Sequence, residues 1–65
     1  MNAWTIERLA HVCAEVAWAE RRETMRPLKS DWTVLVIDLQ RRPTHEERVA
    51  FAIAFRDAMK ALRAP

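Results

Sequence analysis

The sequence predicts an all-α fold, a small chain of two long helices joined by a short middle one. The 65 residues contain no glycine, the residue on which hairpin turns and bulges of β-sheets most often depend. Apolar residues make up 51% and charged residues 31%, which is typical of a folded domain. Pro27, Pro43 and the terminal Pro65 divide the chain into segments that each suit one helix. A chain of this length forms a single domain, residues 1–65.

The first helix is predicted over about residues 3–25. This segment is rich in Ala, Glu, Arg and Leu, which are good helix formers, and Pro27 disfavours helical backbone at Arg26. At 100° per residue, one broad apolar stripe appears, and we expect it to face the core. It consists of Ile6, Leu9, Ala10, Cys13, Val16 and Ala17.

The middle helix is predicted over about residues 31–41, with Ser30 as its N-terminal cap. Apolar residues with helical spacing i, i+3, i+4 and i+7 support it, namely Trp32, Leu35, Val36 and Leu39. The segment is also rich in β-branched residues, which favour a strand. A lone strand would leave its backbone amides unpaired unless two chains paired their strands across a dimer axis. That strand alternative stays open at this point.

The third helix is predicted over about residues 44–62. Thr44 and Glu47 have the spacing of a capping box, in which each side chain bonds the backbone N–H of the other residue. The main apolar stripe consists of Phe51, Phe55, Met59 and Leu62. Val49 and Ile53 project from the other side of this helix.

A second apolar seam is predicted on the first helix, opposite its core stripe. Its members recur every seven residues: Trp4, His11, Trp18 and Met25. Arg8, Glu15 and Arg22 border it, and tryptophan is a preferred anchor of protein interfaces. We therefore predict a protein interface along this seam, extended by Val49 and Ile53. The alternative is that the other two helices cover both sides of the first helix within one chain.

Self-association is expected because so short a chain gains little net stability from its own core. The single cysteine excludes an intramolecular disulfide. We predict a homodimer that also binds another protein. The function predicted is that of a non-enzymatic interaction module, a small regulator or inhibitor of bacterial or phage type that docks on a larger protein.

The residues offer little for catalysis or metal binding. Cys13 lies on the core stripe, and Ser30 is the only serine. His11 and Cys13 are two positions apart, hence about 200° apart on a helix, and cannot share one metal ion. We predict no catalytic residue, metal, cofactor or small-molecule substrate. The longest apolar run, Val49–Phe55, is too short to span a bilayer, so a cytoplasmic location without membrane contact is expected.

Nucleic-acid binding is the alternative function. Basic residues flank the ends of the first two helices, where they could merge into one patch: Arg21, Arg22, Arg26, Lys29, Arg41 and Arg42. A helix-turn-helix with the third helix as reader conflicts with Glu46 and Glu47 in its first turn. The net charge of only +2 also implies no strong polyanion partner.

Overall fold

The computed structural model describes residues 3–64 of the protein, with side chains from residue 6 onward. It contains three α-helices, α1 (Ala3–Ala19), α2 (Lys29–Leu39) and α3 (His45–Arg63). Residues 3–64 contain no strand. The predicted all-α, three-helix chain is confirmed, and the middle segment is a helix rather than the strand of the alternative interpretation.

Helix α1 ends at Ala19, earlier than the predicted bound near residue 25. Arg21 adopts a left-handed conformation with φ of 59°. The N–H of Arg21 donates to the Trp18 carbonyl, and the N–H of Arg22 donates to the Ala17 carbonyl, both at 2.9 Å. These two bonds form a Schellman motif, which closes a helix and usually contains glycine. In this glycine-free chain an arginine takes the left-handed position, so the helix stops well before Pro27.

Helix α2 starts two residues before the predicted bound, and Asp31 rather than Ser30 stabilises its first turn. The Asp31 Oδ2 accepts a hydrogen bond from the Leu28 N–H at 2.8 Å, while Ser30 is exposed within that turn. At the other end Gln40 is left-handed, with φ of 58°, and its N–H donates to the Val36 carbonyl. Both helix ends that lead into loops therefore use a polar residue where glycine is common.

Helix α3 begins with the predicted capping box. The Glu47 N–H donates to the Thr44 Oγ1 at 3.1 Å, and the Thr44 N–H donates to the Glu47 Oε1 at 2.8 Å. Arg41 adds a bidentate contact, with both terminal nitrogens 2.7 Å from the two Glu47 oxygens. The end of α2 is thereby joined to the start of α3.

The core lies mainly between α1 and α3, which pack closely, while α2 makes far fewer contacts. Phe51, Phe55 and Met59 of α3 are fully buried, as is Leu35 of α2. Helix α1 contributes mostly small side chains to this core: Ile6, Ala10, Cys13, Ala14 and Ala17.

The core stripe of α1 differs from the predicted one at its edges. Ala14 is fully buried, Leu9 is only half-buried, and Val16 is 50% exposed. Alanine lets the backbones of α1 and α3 approach closely, which turns α1 so that Val16 faces outward beside α2. The predicted stripe of α3 is confirmed, although Leu62 is half-buried.

The surface of the molecule has three faces, and each lies between two of the helices. Trp18, near the end of α1, lies beside Arg63 at the end of α3, so these two helices run in the same direction. The faces are an α1/α2 face, an α2/α3 face and an α1/α3 face.

Candidate functional site

A groove with an aliphatic part and a polar end lies on the α1/α2 face. Its volume is about 300 Å³, and Val12 and Val16 of α1 face Val34 of α2 across it. Ile37 does not line the groove, but it lies one helical turn beyond Val34 and is 68% exposed. We call the surface formed by these four residues the aliphatic groove. Sequence analysis placed Val16 in the core and did not single out the other three.

Helix α2 carries exposed aliphatic residues among its polar ones and is covered on one side only. It buries Leu35 and Leu39, whereas Val34, Val36 and Ile37 are exposed. Val34 and Ile37 are one turn apart, and neighbouring exposed aliphatic residues indicate a surface that another chain can cover. The uncovered side of α2 is therefore the strongest sign of a missing contact in the described part of the chain.

An ion pair closes the end of the aliphatic groove. The Arg22 terminal nitrogens lie 3.2 and 3.3 Å from the two Asp31 oxygens, and Asp31 is buried. Glu20 lies 3.3 Å from the Arg22 Nε without the geometry of a hydrogen bond. Arg22 was predicted both at an interface rim and in a nucleic-acid patch. In the structure its guanidinium binds Asp31 and so connects the loop after α1 to α2.

Cys13 lies at the base of the same groove as a buried free thiol. Burial raises the pKa of the Cys13 thiol, the Asp31 carboxylate raises it further, and Arg22 opposes them. A thiol held protonated in this way is a poor nucleophile, which fits a packing role for Cys13.

The seven-residue seam predicted on the first helix is not continuous. Met25 lies beyond the end of α1 and packs against the core. Trp18 is 44% exposed and lines a groove of about 450 Å³ at the joint end of α1 and α3. The Trp4 side chain lies outside the described side chains. A period of seven requires an unbroken helix, and the Schellman motif ends the helix after Trp18.

Two other predicted interface residues meet on the α1/α3 face. His11 and Ile53 line one groove of about 500 Å³ together with Asp57. His11 is exposed, and its Nε2 lies 3.7 Å from Glu15. Arg8 and Val49 are also exposed, but neither lines this groove. The structure thus divides the predicted interface among different faces.

The six basic residues proposed for nucleic-acid contact do not form one patch. Arg22 is paired with Asp31, and Arg41 is paired with Glu47. Arg21 lies at the end of α1. The other three are separated by α2, about 16 Å long, with Arg26 and Lys29 at its start and Arg42 after its end. The predicted merging failed because α2 separates the loops that carry these residues.

Sequence analysis missed four basic residues on α3. At 100° per residue, Arg48, Arg56, Lys60 and Arg63 fall within an arc of about 120°, which makes one broad basic stripe. This spacing is visible in the sequence. Its importance depends on which side of α3 is buried, and only the packing of α3 shows that.

Residues 3–64 contain no group of three or more His, Cys, Asp or Glu side chains that could hold a metal ion. Among the same residues, no helix is long and apolar enough to cross a membrane. No protein-family model, no curated protein and no solved structure matches the chain.

Proposed function

We propose that the protein is a non-enzymatic helical interaction module that associates through the aliphatic groove, and that its partner there is a second copy of the chain. The observation that carries this proposal is the uncovered apolar side of α2. In a twofold arrangement, α2 of each copy packs into the aliphatic groove of the other, so both copies cover the same surface.

The energetics favour such an association. Complete burial of a Val or Ile side chain contributes about 1.5–3 kcal/mol relative to full exposure, and the groove residues are between 42% and 68% exposed. A chain of this size gains little stability from its own core, so added burial has a large relative effect. The shape also fits, because a groove between two helices accepts a third helix.

A regulatory or inhibitory role on a larger protein remains a prediction from the sequence. Trp18 on one face, and His11 with Ile53 on another, lie outside the aliphatic groove. These residues stay accessible in the proposed dimer and could therefore bind a different protein.

The test is the mass in solution, measured by light scattering over a hundredfold range of concentration. The wild type is compared with a Val34→Asp, Ile37→Asp double variant, since Asp has about the helix propensity of Val but resists desolvation. Ile53→Asp, on the α1/α3 face, is the matched control because Ile53 is 56% exposed.

We expect a dimer for the wild type and for Ile53→Asp, and a folded monomer for the double variant. Circular dichroism establishes that the double variant keeps its helices. A wild type that is monomeric at every concentration would refute the proposal, as would a dimer that survives the double substitution.

A further inference from the structure

Charge is segregated around α3. The residues Arg48, Arg56, Lys60 and Arg63 are exposed. Arg48 lies beside α2, Arg56 and Lys60 lie beside the loop after α1, and Arg63 lies near the end of α1. Asp57 lines the groove shared with α1, on the other side of α3. Beyond the first turn, which carries Glu46 and Glu47, the acidic residue of α3 thus lies on a different face from its basic residues.

Two residues from different loops extend this stripe at separate points along α3, although α2 keeps the two residues apart from each other. Arg26 lies beside Arg56 and Lys60, and Arg42 lies beside Arg48 across a groove of about 240 Å³. We call the resulting set the basic face. It holds six of the eleven Lys and Arg residues: Arg26, Arg42, Arg48, Arg56, Lys60 and Arg63.

The charges of the basic face are not neutralised within the described residues. The ion pairs there involve His11, Arg22 and Arg41, none of which belongs to this face. Arg48 lies over the Trp32 ring at 5.5 Å, and Arg63 donates to the Met25 sulfur at 3.7 Å. These contacts orient the two guanidinium groups and leave their charge uncompensated.

We propose that the basic face binds the phosphate backbone of a nucleic-acid duplex without reading its sequence. Five of its six residues are arginines, whose planar forks bind phosphate through two parallel hydrogen bonds. From Arg48 to Arg63 the stripe extends about 22 Å along α3, and B-DNA carries one negative charge per about 1.7 Å of axis. The row of cations thus matches a continuous row of phosphates.

A duplex fits this face better than a single strand. Proteins that bind single strands stack bases on exposed aromatic rings. Within this face the Trp32 ring is half-buried and lies against both Phe51, at 5.0 Å, and Arg48. Trp18 is exposed beside Arg63, at one end of the face, and so provides a single stacking position rather than a row of them. Along most of the face the contacts available are therefore those to phosphate.

A membrane surface fits less well. Membrane-surface helices set bulky apolar side chains such as Trp, Phe and Leu beside their cations. On α3 the phenylalanines are fully buried in the core. The exposed apolar side chains beside the basic face, Trp18 and Val36, lie on other helices and do not form a continuous apolar stripe along α3.

The low net charge of +2 does not conflict with this proposal. Steering and binding of a polyanion depend on local potential, and the basic face holds six of the eleven basic residues. Glu46 and Glu47 in the first turn of α3 disfavour insertion of that turn into a groove, which agrees with binding to the backbone alone.

The experiment measures binding to a fluorescent DNA duplex of mixed sequence as a function of salt. Three proteins are compared, the wild type, an Arg56→Gln, Lys60→Gln variant, and Arg8→Glu. The last lowers the net charge by the same amount on α1, outside the basic face. All three are checked for helical content, and Arg56 and Lys60 are exposed, so the fold should be retained.

We expect duplex binding at low salt, with the logarithm of the binding constant falling linearly with the logarithm of the salt concentration. In the double variant this slope becomes shallower by about 1.8, since each lost phosphate contact removes about 0.9. Arg8→Glu should keep the wild-type slope. Absence of binding at low salt would overturn the proposal, as would equal weakening in the double variant and in Arg8→Glu. Equal affinity for a single strand, for polyglutamate or for anionic vesicles would also overturn it.

Discussion

Arg22 and Asp31 show how a single residue pair determines the shape of the loop between α1 and α2. They are nine positions apart, and their contact joins the end of α1 to the first turn of α2. The periodicity of the sequence could not reveal this pair, because the turn that brings the residues together lies outside any helix. The Schellman motif at Arg21 and Arg22 makes that turn.

We predict that Asp31→Asn destabilises the protein by about 1–3 kcal/mol, because it removes the buried carboxylate that accepts both Arg22 hydrogen bonds and leaves only the exposed Glu20 carboxylate beside that guanidinium. For a chain of this length, with a free energy of unfolding of about 3–10 kcal/mol, the effect is large. The measurement is the urea midpoint of unfolding.

Glu20→Gln is the matched control, since Glu20 is exposed and also lies beside Arg22. Its cost should stay below about 1 kcal/mol, as for other exposed ion pairs. If both substitutions had the same effect, the Asp31 pair would have no special structural role.

At the scale of the helices, the start of α3 illustrates local information that the sequence displays directly. The spacing of Thr44 and Glu47 predicts the capping box, and the structure confirms it. The contact from Arg41 was not predicted, because it requires the left-handed turn at Gln40 that reverses the chain. The hydrogen bond from Arg41 and that from the Thr44 N–H lower the pKa of Glu47 from 4.5 to about 2.

This pKa shift predicts a dependence of stability on pH. Because the pKa of Glu47 is lower in the folded than in the unfolded chain, its stabilising contribution is complete above about pH 4.5 and is lost as the pH falls towards 2. Glu47→Gln should therefore be less stable than the wild type at pH 7, and the difference should shrink across this range.

Unfolding curves in urea at pH 7, 4 and 2.5 measure this difference. Glu46→Gln, in the same turn but outside the capping box, is the control and should show a much smaller change. A difference between wild type and Glu47→Gln that stays constant across the range would contradict the assignment.

For the whole molecule, the unequal packing of the helices predicts unequal stability. Helices α1 and α3 share most of the core, whereas α2 is attached mainly through Leu35, Leu39 and the half-buried Trp32. We expect amides of α2 to exchange with solvent through local opening, and those around Phe55 only through global unfolding.

Native-state hydrogen exchange read by mass spectrometry measures this contrast. If α2 of a second copy covers the aliphatic groove, protection of α2 should rise with protein concentration, while that of α3 changes less. Equal protection of all three helices would mean that α2 belongs to the same cooperative unit as the core.

The number and order of the helices, the cap of α3 and the buried stripe of α3 follow from the sequence, because each depends on residues within a few positions of one another. Periodicity gives the width of the apolar stripe of α1 but not its edges. The small Ala14 side chain packs against the core, and Val16, at the other edge of the stripe, is therefore exposed.

The two proposed binding surfaces depend on the tertiary structure, because their residues are far apart in the sequence. The aliphatic groove and the basic face each combine side chains from two helices or a loop, so no single segment of sequence contains either one. Local propensities were enough to predict that three helices form and in which order. The left-handed turns at Arg21 and Gln40, and the packing of α1 against α3, determined which side chains share a face.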